Sequence, residues 1–300
     1  MRKQILLMLC LTFGLVSLAV AGEPIGVFAN SNTNSIQYIN PETQAVSNSL
    51  LKGSLGSYGG TLLDVAITSD GKTAIVSNFG DQKIFFIDIS GGFGAVPTLL
   101  GHTRIPLFAE DLAITPDDKY VLVSDGGFTS TIAVVKISCR NLVNHQNFGN
   151  VYSNAIAIAP DGQTVLTADY FAGKINLFTF NAEDGTLTYV QSKNVRPALP
   201  VNVSISPDGK TAIGVSASTY YAPVFALGTG TMDFKGFVTM PHKSGQSCVF
   251  SNDGTKAYYL SNSIYYRAMV EILDVTGPGQ VAASGVSITA RPKKGTSQLF

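Results

Sequence analysis

Five stretches of this chain read almost alike: ITSDGK (Ile67 to Lys72), ITPDDK (Ile114 to Lys119), IAPDGQ (Ile158 to Gln163), ISPDGK (Ile205 to Lys210) and FSNDGT (Phe250 to Thr255). Their matched acids, Asp70, Asp117, Asp161, Asp208 and Asp253, lie 47, 44, 47 and 45 positions apart. Each stretch is a tight-turn signal. Pro, where present, sets φ at the first turn position, Asp tolerates the second, and Gly reaches the left-handed conformation that lets a strand reverse. Asp118 stands where the other four have Gly, and Asp is among the few other residues that bear a positive φ.

Working outward, each turn is followed by a β-rich run ending in a small polar tripeptide: VSN (Val76 to Asn78), VSD (Val123 to Asp125), TAD (Thr167 to Asp169), VSA (Val215 to Ala217) and LSN (Leu260 to Asn262). FAN (Phe28 to Asn30) matches it near the N-terminus. A third strand follows, as in KIFFIDI (Lys83 to Ile89), KINLFTF (Lys174 to Phe180) and VEILDV (Val270 to Val275), and a fourth, more variable one leads into the next unit. Four strands, a to d, within a repeat near 46 residues is the pattern of a propeller blade. The expected fold is therefore all-β, a β-propeller of four-stranded blades with six repeat units visible, or a truncated seven-bladed propeller. The N-terminal unit has b, c and d but no a. Gln298-Leu299-Phe300 opens another strand a, which would close the ring and remove exposed sheet edges.

This pattern resembles the YVTN-repeat β-propellers, the group that includes surface-layer repeat proteins and lactonase-like seven-bladed propellers. The resemblance covers roughly Ile25 to Phe300 and rests on the S-P-D-G-K turn and the V-S-N strand end. It implies the fold directly. The lactonase-like members use His, Glu and Arg around the channel mouth; only Glu110 offers itself here as the Glu.

The 300 residues are 45% hydrophobic and 13% charged, with 30 Gly, 13 Pro and no Trp, a composition with enough apolar side chains for a sizeable core. Absence of Trp argues against WD40, Kelch and tryptophan-docked propellers. Twenty basic residues balance twenty acidic ones, so no basic field exists to hold nucleic acid.

At the N-terminus Arg2 and Lys3 precede an apolar run from Ile5 to Val20 that ends in Ala19-Val20-Ala21. This reads as a signal peptide, residues 1–21, cleaved after Ala21. Residues 22–300 are then a single propeller domain, exported to the periplasm, cell surface or medium, with no transmembrane segment. Cys10 leaves with the signal, and Cys139 with Cys248 are expected as two separate buried thiols.

In a propeller the d-to-a and b-to-c connections share one face, so the candidate residues are sought there. Just ahead of strand a the repeats place Asp64, Asp111, Ala155, Asn202, Ser247 and Ser297, with Asn154 beside Ala155. Asp64, Asp111 and Asn202 offer hard oxygens suited to Ca²⁺; the alternative is that they cap neighbouring backbone. Arg104, Arg196 and Arg291 occupy nearly equivalent d-to-a positions and Arg267 a b-to-c loop. Together they suit a carboxylate-bearing ligand, or pair with Asp64, Asp111 and Glu110 to hold the rim. The b-to-c loops carry Phe79, Phe128, Tyr170 with Phe171, Tyr220 with Tyr221, and Tyr265 with Tyr266; Phe79 and Phe128 read as structural, the Tyr pairs as recognition residues. His102, His145 and His242 all fall in d-to-a connections of different blades, without metal-site spacing.

Two function classes follow. The first is an exported binding or scaffold protein whose loop face takes a protein, glycan or small anionic molecule through Arg104, Arg196, Arg267, Arg291, Tyr220, Tyr221, Tyr265 and Tyr266. The second is a lactonase-like hydrolase or isomerase for a lactone or cyclic ester, with His145 acting singly as general base and an arginine, Arg196, polarising the carbonyl; Glu110 is the remaining candidate, as the one match to the Glu of the lactonase-like members. A surface-layer or adhesive module is a third. No cofactor is required by the motifs; calcium is the one metal they suggest.

Overall fold

In the computed structural model, residues 17–18, 26–31, 33–40, 43, 45–57, 61–127, 129–262 and 268–289 are described. All regular structure among them is β. The first sheet has three strands, β1 (Ser17–Leu18), β2 (Gly26–Asn30) and β3 (Ser35–Ile39). Five four-stranded sheets follow: β4 (Leu62–Ile67), β5 (Thr73–Asn78), β6 (Lys83–Asp88) and β7 (Thr98–Arg104); then β8 (Ala109–Ile114), β9 (Tyr120–Asp125), β10 (Thr131–Lys136) and β11 (Asn141–Asn147). The remaining three are β12 (Ala155–Ile158) to β15 (Thr186–Asn194), β16 (Pro200–Ile205) to β19 (Thr231–Thr239), and β20 (Gly245–Phe250) to β23 (Gln280–Thr289). Between these lie β13 (Thr164–Asp169), β14 (Lys174–Asn181), β17 (Thr211–Ser216), β18 (Tyr221–Gly228), β21 (Lys256–Asn262) and β22 (Ala268–Gly277). Every four-stranded sheet is an antiparallel meander in chain order, the expected blade. No helix among the described residues is long and apolar enough to cross a membrane.

The turn chemistry predicted from the repeat is present. Gly71, Gly162, Gly209 and Gly254 have φ of 70°, 70°, 70° and 68°, and Asp118 takes 55° in the fifth turn. Asp70 Oδ1 accepts the Thr68 hydroxyl at 2.8 Å and the Lys72 amide at 3.0 Å. The same arrangement recurs at Asp117 and Asp208. Held this way, these carboxyls sit below the usual carboxylate range, through the Lys72 amide first at Asp70 and the Thr115 hydroxyl first at Asp117.

In the second to fifth sheets the second strand is the most deeply buried, and β9, β13 and β17 are buried along their whole length. The fourth strand ends its sheet, and β11 alternates exposed with half-buried positions. The described chain falls into two compact units, Met1–Gly149 with Ala182–Thr186, and Asn150–Asn181 with Leu187–Phe300. In the first, one core cluster packs β2 and β3 on the second sheet, through Tyr38, Leu62 and Phe85, and another packs the second sheet on the third, through Phe86, Leu112 and Val123. In the second, Leu177 and Phe225 anchor one cluster, and Ile213, Phe250 and Tyr259 the next. Truncating a fully buried ring such as Phe225 to Ala costs about 3–5 kcal/mol.

The N-terminal unit departs from expectation in one respect. Ser17–Leu18, inside the segment read as a signal peptide, pairs with Gly26 and Val27 of β2, taking the sheet position assigned to a C-terminal strand. Residues 298–300 lie outside the described residues. Its fourth strand is reduced to two bridges, Ile36 to Leu50 and Ile39 to Val46. Both later cysteines are free, but only Cys248 is buried. Cys139 is exposed because it falls in the turn between β10 and β11, not in a strand.

Candidate functional site

The connection from β19 to β20 is pinned at its start, where the buried Met240 donates its amide to Tyr220 O at 2.6 Å. Two residues on, His242 Nδ1 lies 2.7 Å from Glu271 Oε1. Glu271 stands in the middle of β22 and is only 3% exposed. Ser287 is its cross-strand neighbour on β23, and the Ser287 hydroxyl donates to Oε2. An ionised carboxylate only accepts, so with both oxygens engaged by donors the imidazole hydrogen sits on Nδ1 and the lone pair on Nε2. The His242 side chain is 30% exposed. A cavity of about 310 Å³ is lined by Glu271 and Ser287, together with Met240, Pro241, Ile272 and Val286 among others.

An equivalent polar pair occurs at the same strand positions two sheets earlier, where the Ser192 hydroxyl donates to the buried Asn176 at 2.7 Å. The site therefore elaborates a feature of the repeat, with a charge in place of an amide and a histidine added from the preceding connection. Beside it the Lys243 ammonium lies 5.1 Å from the centroid of Tyr220, whose side chain is 42% exposed, and Tyr221 packs on Phe237 at 5.5 Å.

The residues expected from sequence fare differently. Of the three histidines only His242 lies in a connection. His102 is within β7 against Phe85, and His145 is an exposed residue in the middle of β11. Both fourth strands run longer than the repeat pattern suggested. Glu110 belongs to β8, separated from β11 by two strands of the same sheet, so it and His145 do not meet. Arg196 follows β15, and its guanidinium is engaged with Phe171 O at 2.9 Å and Ala172 O at 3.2 Å. Arg104 ends β7 as an exposed residue. Phe79 stacks on Phe108 at 5.0 Å, a packing role. Phe128, Arg267, Tyr265, Tyr266, Arg291 and Ser297 lie outside the described residues.

Asp64, Asp111, Asn202 and Ser247, expected in loops ahead of a strand, are the third residues of β4, β8, β16 and β20. Each sits at a register shift, between Leu62 and Val65, Ala109 and Leu112, Pro200 and Asn202, and Gly245 and Ser247. Such bulges re-aim a side chain without breaking the sheet. Asp64 accepts the Val65 amide at 2.7 Å and the Leu112 amide at 2.8 Å, and also hydrogen-bonds Asp111. Burial raises its pKa, against the pull of those hydrogen bonds. Two hydrogen-bonded buried carboxyls cannot both ionise cheaply. No cluster of three or more His, Cys, Asp or Glu able to hold a metal is present among the described residues.

Glu271, Ser287 and Lys243 were not singled out by sequence. The one available signal was a carboxylate inside the strand VEILDV, where KIFFIDI carries Phe85.

Comparison with known proteins identifies the class. The family described as lactonase, 7-bladed β-propeller matches residues 95–203 and, displaced by about one repeat, 141–251, together just over half the chain. The chain belongs to this family. That two registers match shows that the repeat carries the likeness. No curated protein matches the chain. Among solved structures, a protein from Desulfotomaculum acetoxidans DSM 771, titled functionally unknown, superposes with TM-score 0.76 at 18% identity over 89% of this chain and 80% of that one. A protein from Lactobacillus plantarum gives 0.73 at 14% identity, covering 89% and 82%. Hydrazine synthase of Kuenenia stuttgartiensis gives 0.59 at 19%, covering 73% and 64%. At these identities the likeness is one of fold.

Proposed function

We propose that this protein is an exported hydrolase of a lactone or similar cyclic ester, with His242 as general base. The observation that carries the reading is the contact between His242 Nδ1 and the buried Glu271 carboxylate at 2.7 Å, with Glu271 also lining a cavity of about 310 Å³; the family's name agrees with it. Nε2 takes a proton from a water as its oxygen attacks the ring carbonyl. The C–O bond of the ring then breaks, and the imidazolium returns the proton to the departing ring oxygen. Glu271 holds the imidazole in the required tautomer and stabilises its charged form, an interaction strengthened by burial. Lys243 supplies positive charge for the developing oxyanion. In this reading His242 takes the place of His145 as the base, and Glu271 that of Glu110, which two strands separate from His145 in the same sheet.

The test is hydrolysis of a panel of five- and six-membered lactones by the purified protein. His242→Gln should lower kcat about 10²–10⁴-fold, and Glu271→Gln should lower it with little change in KM. Turnover unaltered in His242→Gln, or no turnover on any lactone, sinks the reading.

A second reading, a binding module for a protein, glycan or small anion, is favoured by the exposed Tyr220 ring with the Lys243 ammonium above it and by Tyr221 alongside. Both readings place the protein outside the cytoplasm, after cleavage at Ala21.

A further inference from the structure

The sixth sheet carries an enlarged form of a bulge that three other fourth strands share. In the second sheet Phe86 pairs with Gly101 and Ile87 with Leu99, so one residue of β7, Leu100, is extra. β11 and β19 repeat this, with Val143 and Lys235 as the extra residues. At the same place in the sixth sheet Glu271 pairs with Ser287, but Leu273 pairs with Ala283. Four steps of β23 thus answer two of β22, and Ser284, Gly285 and Val286 stand opposite Ile272 alone. Gly285 takes φ 76°, and a Cβ on it would meet nothing within 4 Å. A bulge bends its strand and re-aims its side chains.

The cavity of about 310 Å³ lies along this bulge. Met240 and Pro241 line it from the end of β19, and Ile272, Ala283 and Val286 from β22 and β23. Val286 is 50% exposed, and Pro241 and Ala283 are exposed as well, so this wall is open to a ligand. Along β23 the lining runs from Ser287, bonded to Glu271, through Val286 and Gly285 to Ala283. It therefore passes from polar to apolar away from the acid that holds His242.

These features select a ligand. The volume is at the small end for ligand sites, which suits a slim group and not a polymer. Glu271 is the one charged residue among the described lining residues, so an anionic substituent would meet like charge. The apolar wall gains by exchanging water for hydrocarbon, and Met240 has an unbranched, adaptable side chain to set against one.

We propose that the groove along the bulge takes an unbranched alkyl substituent of the lactone ring, so that the protein prefers alkyl lactones to polar, sugar-derived ones, with Ile272, Ala283 and Val286 setting the preference. The substrate class rests on the hydrolase reading, whereas the binding of an alkyl chain does not, and two measurements on the whole protein keep them apart. The first is kcat/KM on γ-lactones with alkyl substituents of none, two, four and six carbons, beside glucono-δ-lactone. It should rise about threefold per methylene. Val286→Asp should cut the ratio of the longest to the unsubstituted substrate about tenfold, and Ala283→Asp should do the same if the first variant misfolds. The second is calorimetric binding of 1-octanol, which has no ester to cleave, against 1-butanol. Octanol should bind about tenfold or more tighter, and lose that advantage in Val286→Asp. Turnover independent of chain length overturns the alkyl preference and leaves the hydrolase reading standing. Absence of all turnover, with octanol bound and weakened by Val286→Asp, ends the hydrolase reading and leaves the groove as an alkyl site. Failure of octanol to bind, or equal binding in both aspartate variants and the parent protein, overturns the groove itself.

Discussion

Asp64 of β4 accepts the amide of Leu112 in β8 at 2.8 Å, a bond between consecutive sheets spanning 48 positions of chain. The same carboxyl hydrogen-bonds Asp111, so two buried acids share one seam of the first unit.

Because burial raises the folded-state pKa of Asp64, its neutral form favours the fold. That contribution is complete at acid pH, below the unfolded value, and is lost as pH rises through the folded value. Asp111→Asn removes the like charge and leaves an amide donor for Asp64. Thermal unfolding followed from pH 4 to 9 should show the variant melting about 2–4 °C higher at the alkaline end, with the difference vanishing at the acid end. Parallel curves at all pH values would mean that the two acids titrate independently.

Gly173 is required twice over, by its positive φ and by the approach of Arg196 and Ala198. Gly173→Ala should cost about 1–3 kcal/mol in urea unfolding. Adding Arg196→Ala removes one of the two obstructions, so the double variant should lose less than the sum of the singles. Strict additivity would show that the Arg196 side chain imposes no constraint there.

Expressed with its full N-terminus in a host with a secretion pathway, the protein should be recovered outside the cytoplasm beginning at Gly22, by intact mass and N-terminal sequencing. The processed chain lacks Ser17–Leu18, so β2 loses that neighbour. A product retaining residues 1–21 contradicts the reading of that segment as a signal.

Much of the fold was legible because turn chemistry is local. The left-handed conformation of Asp118 follows from its place in the ITPDDK turn, and it adopts φ 55°. The ends of β5, β9 and β13 coincide with Asn78, Asp125 and Asp169 as the tripeptides indicated. Asp64 and Asp111 were less legible, since a bulge adds one residue to a strand without disturbing a repeat of some 46. The exposed thiol of Cys139 was missed because nothing local distinguishes a cysteine in a turn from one in a strand.

The candidate site was legible only in fragments. His242 was visible as a histidine in a connection, and Glu271 as an acid within an apolar strand, but 29 positions separate them and no motif joins them. The amino-acid sequence alone determined the blade, its turns and its buried strands, because these depend on side-chain periodicity and backbone preferences within a few residues. Which polar groups meet was decided by tertiary structure. Pairing His242 with Glu271, or Asp64 with Asp111, requires sheet register and bulges to bring distant residues within hydrogen-bonding range, about 3 Å.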